Sequence, residues 1–137
     1  MQKTFTRDER LKSRKTIEQL FEDGKSFGQY PLRIIWKEVE QTDWVHPAQF
    51  ALSVPKRKFP KAVHRNRIKR KVREVYRLNK HKLYRGLDQQ RKQIALMILY
   101  TAKEELNYTE LEKAMKGIIF RLLKKMKTTA TPTNRKE

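Results

Sequence analysis

The chain contains no cysteine. Disulfides, thiolate-bound metals and cysteine nucleophiles are thereby excluded, and the composition is compatible with a reducing compartment, which points to the cytoplasm. No apolar run approaches the roughly 18–20 residues needed to cross a bilayer. The opening MQKTFTRDERLKSR has neither the apolar stretch nor the cleavage site of a secretory signal. Histidine is scarce: His46, His64 and His81 fall in unrelated segments. There is no P-loop, dinucleotide fingerprint or zinc spacing. The adjacent acids Glu104 and Glu105 read as decoration of a loop, with nothing converging on them in sequence. A nuclease working alone needs clustered carboxylates for metal ions or a general acid–base pair. No catalytic residue and no metal ligand is therefore assigned to the protein.

Acids are also in short supply. Asp and Glu total 15 against 34 Lys and Arg, giving a net charge of +19 over 137 residues, a length that suggests one domain. The excess is concentrated. Residues 56–85 hold 14 basic residues and one acid, a net of +13, and the rest of the chain holds 20 and 14, a net of +6. Self-repulsion of that size destabilises a compact state unless counter-charge is near. A concentrated excess is the footprint of a polyanionic partner, and nucleic acid fits it best.

Hydrophobic spacing outlines the elements. Residues 1–12 read as a loose N-terminal arm. Ser13 can cap a helix running to about Asp23, with Gly24 placed to end it and Ile17, Leu20 and Phe21 on its apolar side. Residues 30–39 and 48–55 alternate as strands. Tyr30, Leu32, Ile34 and Trp36, and likewise Phe50, Leu52 and Val54, fall on one face; Arg33, Ile35 and Lys37, with Gln49, Ala51 and Ser53, fall on the other. That second face is read as open to water or a ligand. A basic helix follows from about Lys61 to Asn79, then a buried strand at 93–100, QIALMILY. Thr109-x-x-Glu112 reads as the capping box of a last helix carrying Leu111, Met115, Ile118, Ile119, Leu122 and Leu123. A disordered basic tail is expected over 127–137. The fold class is α+β, a single small domain at 13–126 with helices packed on one sheet.

At roughly 100° per residue, Ile68, Val72, Val75 and Tyr76 share the core face of the basic helix. Asn66, Arg70, Arg73 and Arg77 lie nearly opposite, flanked by Arg67 and Lys69. Surface helices normally interleave acids for pairing, and here only Glu74 is available. Arginine binds phosphate through a planar fork, so the stripe reads as a phosphate-binding face. Lys56, Arg57, Lys58, Lys61 and Arg65 extend it into the preceding loop and first turn, where free N–H groups also favour phosphate. A membrane-surface helix would turn large apolar residues outward, and this one needs them for the core. A DNA-binding helix-turn-helix needs two adjacent helices, and strands flank this one.

The string Arg65-Asn66-Arg67-Ile68-Lys69-Arg70, followed by Arg73-Glu74 and Arg77, resembles the RNR signature of the bacterial ribonuclease P protein subunit. The segment SVPKRKF-x-KAV at 53–63, the RLK opening at 10–12 and LFEDGKS at 20–26 fit as well, and the resemblance spans roughly residues 10–126. It implies a roughly four-stranded sheet with three helices and a left-handed β-α-β crossover, against the usual hand. It implies a protein that partners a catalytic RNA, whose Mg²⁺ is bound mainly by the RNA, in removing the 5′ leader of precursor tRNA. Residues 56–77 would bind that RNA. A cleft between the first helix and the open sheet face, with Ile17, Phe21, Arg33, Ile35, Lys37 and Ser53, would hold the leader. Phe21 is open to two readings, a base stack or ordinary core. Ile17 and Ile35 stand where the family often has aromatics, and Thr101-Ala102-Lys103 offers one basic residue where some members have two. His64 reads as a helix-start or RNA contact. Two other classes stay in play: a structural RNA-binding protein such as a ribosomal protein, and a self-contained nuclease.

Overall fold

The computed structural model describes residues 5–40 and 43–130, with side chains to Lys127. The elements are α1 (Arg14–Asp23), β1 (Lys25–Gln29), β2 (Leu32–Val39), β3 (Ala48–Ser53), α2 (Ala62–Gln90), β4 (Gln93–Tyr100) and α3 (Tyr108–Ala130). One mixed sheet has the order β1-β2-β4-β3. β3 and β4 are parallel and joined through α2, and the other pairs are antiparallel. This is the α+β architecture read from the sequence.

Local chemistry sets the ends of the elements. Ser13 Oγ accepts from the Thr16 amide at 3.2 Å, and the Gly24 amide closes α1 on the Leu20 carbonyl at 2.9 Å. A side chain at position 24 would bring a Cβ within 2.4 Å of that carbonyl oxygen, so glycine is required. β1 has no counterpart in the sequence reading. Its five residues hold one buried side chain, Phe27, too short a pattern to register as alternation.

α2 continues eleven residues past the expected end at Asn79. Asn79 is buried inside the helix, its Nδ2 donating to the Val75 carbonyl at 2.8 Å. Leu83, Tyr84 and Leu87 extend the buried face. The helix stops at Arg91, which takes the left-handed conformation (φ 56°) more often filled by glycine. α3 is opened by Asn107 rather than by the Thr109 box: the Asn107 Oδ1 accepts from the Glu110 amide at 2.9 Å, and Glu110 reaches back to the Asn107 amide at 3.3 Å. The backbone of α3 continues to Ala130, into the segment expected to be disordered; residues 131–137 lie outside the described residues.

The main core lies between one sheet face and the two long helices. Leu32, Ile34, Trp36, Phe50, Ile94, Leu96 and Ile98 meet Ile68, Val72, Tyr76 and Leu83 of α2 and Leu111, Met115, Ile118 and Leu122 of α3. α1 sits on the opposite face, where Leu11, Leu20, Ala95 and Met97 form a smaller core flanked by Ile17, Ile35 and Ala51. The face expected to be open is thus half covered by α1.

Residues 5–12 are not a loose arm. Phe5 packs edge-on against Phe50 and Tyr76. The Leu11 amide bonds the Phe50 carbonyl at 2.9 Å. Glu9 is fully buried; Lys80 and Tyr84 donate to its Oε2, and the Thr6 amide donates to its Oε1 at 2.7 Å. Burial alone would raise the Glu9 carboxyl, but these donors outweigh it and hold it below the ordinary range. The signal was the acid itself, whose partners lie more than seventy residues downstream.

Candidate nucleic-acid interface

The buried face of α2 carries Ile68, Val72, Val75 and Tyr76, each at most 2% exposed, so the opposite face is fixed outward. Asn66, Arg67, Arg70 and Arg73 are exposed there, with Lys69 half-buried at their flank. The side chains of Lys56, Arg57, Lys61, Asn66, Lys69, Arg70 and Arg73 find no hydrogen-bond or ion-pair partner among the described residues. Arg10, from the packed N-terminal segment, comes close to Arg73: partial burial and then the Arg10 charge hold the Arg73 guanidinium below its usual pKa. Neither guanidinium has an ion-pair partner among the described residues. Arg10 joins the stripe, a contribution hidden while residues 1–12 read as loose.

Four of the sequence-predicted cations are engaged within the chain. Arg65 donates to the carbonyls of Phe59 and Pro60, both at 2.9 Å, and so clasps the loop that enters α2. Lys58 Nζ donates to the Thr101 carbonyl at 2.9 Å. Arg77 pairs with Glu74 at 2.6 Å, and this bond holds the Glu74 carboxyl below its ordinary range. Arg67 Nε donates to both carboxylate oxygens of Glu105, at 3.0 and 3.1 Å.

Glu105 is the charged partner of this face that the sequence reading missed. Far from decorating a loop, its carboxylate is met by Lys71 at 2.8 Å, Arg67 at 3.0 Å and His64 at 3.2 Å. The Lys71 bond, and after it Arg67, holds the carboxyl below the ordinary range against the opposing effect of burial. Tyr100 shapes the loop that carries it: its hydroxyl donates to the Glu104 carbonyl at 2.6 Å and accepts from the Leu106 amide at 3.0 Å, folding the β4–α3 loop over the end of β4, while Lys71 of α2 donates to the Leu106 carbonyl at 3.2 Å. No local pattern links residues 64–71 to 105; only the fold does.

A second feature lies across the sheet. Strand register aligns three rows on the face under α1: Lys37, Ala95 and Gln49; Ile35, Met97 and Ala51; Arg33, Leu99 and Ser53. Ile17 of α1 and Ile35 of β2 are half-buried in the smaller core. Phe21 is 59% exposed, so its core reading is set aside. Lys37 pairs with Asp23 at 3.2 Å, tying the end of α1 to β2. Arg33 is exposed and donates to Ser26 Oγ at 3.1 Å. α1 and this sheet face thus bring together half-buried apolar side chains, an exposed aromatic on the helix and the basic side chains of β2.

Among the described residues, no group of three or more His, Asp or Glu side chains is arranged to hold a metal ion, and no helix is long and apolar enough to cross a membrane.

Known proteins resemble this chain in sequence and in fold. A family model described as Ribonuclease P matches residues 5–125. A ribonuclease P protein component from Porphyromonas gingivalis is 35% identical over 118 residues, covering 86% of this chain and 85% of its own. One from Thermotoga maritima is 35% identical over 88 residues, covering 64% and 71%. In structure, the chain is similar to the RNase P protein of Staphylococcus aureus (TM-score 0.66, 16% identity, 83% of this chain and 94% of that one) and to that of Thermotoga maritima (TM-score 0.65, 21% identity, 82% and 96%). Sequence and fold converge, and the chain belongs to the ribonuclease P protein family.

Proposed function

We propose that this ribonuclease P protein component binds the catalytic RNA subunit through the outward face of α2 and holds the 5′ leader of precursor tRNA in the cleft beneath α1. The observation that carries the reading is the row of cations that meet no acid among the described residues: Lys61, Lys69, Arg70 and Arg73, with Lys56 and Arg57 in the loop before α2 and Arg10 beside them. Their missing counter-charge is a phosphate backbone. Arg65 and Lys58 act differently, by shaping the loop from which their neighbours reach the RNA. Asn66 supplies a neutral donor and acceptor within the row.

In this reading the hydrolysis of the leader is carried out by the RNA and Mg²⁺ bound to it, and the protein supplies binding and orientation. Single-stranded leader fits the cleft chemically. Phe21 offers a stacking face, Ile17 and Ile35 an apolar floor, and Arg33, Lys37 and Ser53 polar contacts to backbone. Stacking of one base on an aromatic contributes roughly 1–3 kcal/mol. A cytoplasmic location belongs to the same reading.

The test compares holoenzyme binding of precursor tRNA with that of mature tRNA. Phe21→Ala is expected to weaken precursor binding and leave mature tRNA binding unchanged. Equal loss for both would remove the leader from the cleft. Arg70→Ala is expected to weaken assembly with the RNA and to act on both substrates alike.

A further inference from the structure

We propose a second single-stranded RNA contact on the sheet face opposite the α1 cleft, where the C-terminal half of α3 crosses the edge strand β1; it rests on the RNA-binding reading above. An open cavity of about 610 Å³ lies there between Phe27 of β1, Trp36 of β2 and the α3 side chains from Phe120 to Lys125. Its size falls in the range of about 300–1,000 Å³ common to ligand sites.

Its lining pairs aromatics with cations and, among the described residues, includes no acid. Arg121 stands over the Phe27 ring at 4.3 Å and Lys125 over the same ring at 5.5 Å. Lys25 stands over Trp36 at 5.3 Å, and Lys124 over Phe120 at 5.8 Å. Phe120 is 67% exposed. An aromatic so placed on α3 contributes nothing to the core, which the helix buries through Ile118, Ile119 and Leu122. Arg121 is already oriented, its Nη1 donating to the Gly28 carbonyl at 2.8 Å and the Gln29 side chain at 2.9 Å.

The chemistry selects among polyanions. A duplex presents phosphates and would use the cations alone. A single strand presents a phosphate with an unstacked base beside it, which matches an exposed ring flanked by cations. An acidic peptide would use the cations and has no regular planar group for Phe120. β1 and β3 are the two edges of the sheet, so this site and the loop leading from β3 into α2 stand at opposite sides of the molecule, and the protein would bridge two RNA segments.

The test places p-benzoylphenylalanine at position 120 of the full chain and, separately, at position 70, each assembled with ribonuclease P RNA and precursor tRNA and irradiated. Crosslinks from both positions, mapping to different segments with the position-120 product in a single-stranded region, are expected. Crosslinking from 70 alone overturns the second site and leaves the proposed function standing; crosslinking from neither overturns both. Affinity for a short labelled oligouridylate, measured with Arg70→Ala present to weaken the α2 stripe, is expected to fall about tenfold on Phe120→Ala and further on Lys124→Glu with Lys125→Glu. No change on Phe120→Ala, or an equal loss for labelled polyglutamate, would overturn the assignment to a single strand.

Discussion

In the proposed RNA-binding role of α2, Glu105 competes with phosphate for Arg67 and Lys71, and replacing it by glutamine should raise RNA affinity while lowering stability. Its side chain is 17% exposed and is met by Arg67, Lys71 and His64 at 2.8–3.2 Å. Partly exposed ion pairs contribute about 0.5 kcal/mol each. The two permanently charged partners, Arg67 and Lys71, therefore withhold about 1 kcal/mol from any competing phosphate. Glu105→Gln keeps the shape and removes the charge. The expected result is about fivefold tighter binding to ribonuclease P RNA, with a steeper dependence on salt because more phosphates are neutralised. The same change removes about 1 kcal/mol from the free protein, lowering its melting temperature by roughly 3–5 °C. Titration of labelled RNA at two salt concentrations, beside a thermal melt, reads both. As a companion, Arg67→Ala should weaken binding less than Arg70→Ala, because Arg67 must give up Glu105 to reach a phosphate. Unchanged or weaker RNA binding by Glu105→Gln would show that the carboxylate holds Arg67 for the RNA instead of competing with it.

Other residues give separate tests. Arg73→Ala should weaken RNA binding uniformly across sequences and reduce the salt slope by about one phosphate, read in the same titration. Glu9→Gln should destabilise the protein by about 3–5 kcal/mol at neutral pH, since Lys80 loses the buried carboxylate that faces it. The Glu9 pKa is depressed in the folded state, so the unfolded chain binds more protons, and this stabilisation is lost as pH falls from the ordinary glutamate range through the lower folded pKa; denaturant melts from pH 7 to 3 should show a shallower decline for the variant. Gly86→Ala would bring a Cβ within 2.5 Å of Leu123 Cδ2 where α2 meets α3. It should cost about 1 kcal/mol net after the gain in helix propensity, measurable as a shift in the urea midpoint.

The parts of the fold legible in sequence were those whose signal is local. The alternation of β2 and β3, the apolar run of β4 and the helical stripe at Ile68, Val72, Val75 and Tyr76 each report their own burial. What escaped depends on distant partners. Asn79 looks like a helix end until Val75 and Glu112 are placed beside it. Glu9 looks like a solvated acid until Lys80 and Tyr84 surround it. Two capping patterns overlap at the start of α3, and only the backbone decides for Asn107. The interface divides the same way. The orientation of the α2 stripe follows from its periodicity, whereas the capture of Arg67 by Glu105 and of Arg65 by the Phe59 and Pro60 carbonyls requires the loops on either side to be folded back.

The most direct measurement is 5′ cleavage of a precursor tRNA by ribonuclease P RNA at low Mg²⁺, with and without this protein, using RNA from a closely related source. The account predicts little cleavage by the RNA alone, strong stimulation on adding the protein, and none by the protein without RNA. Absence of stimulation while the protein still binds the RNA would contradict the proposed role and favour a structural RNA-binding protein; cleavage by the protein alone would contradict the assignment of the chemistry to the RNA.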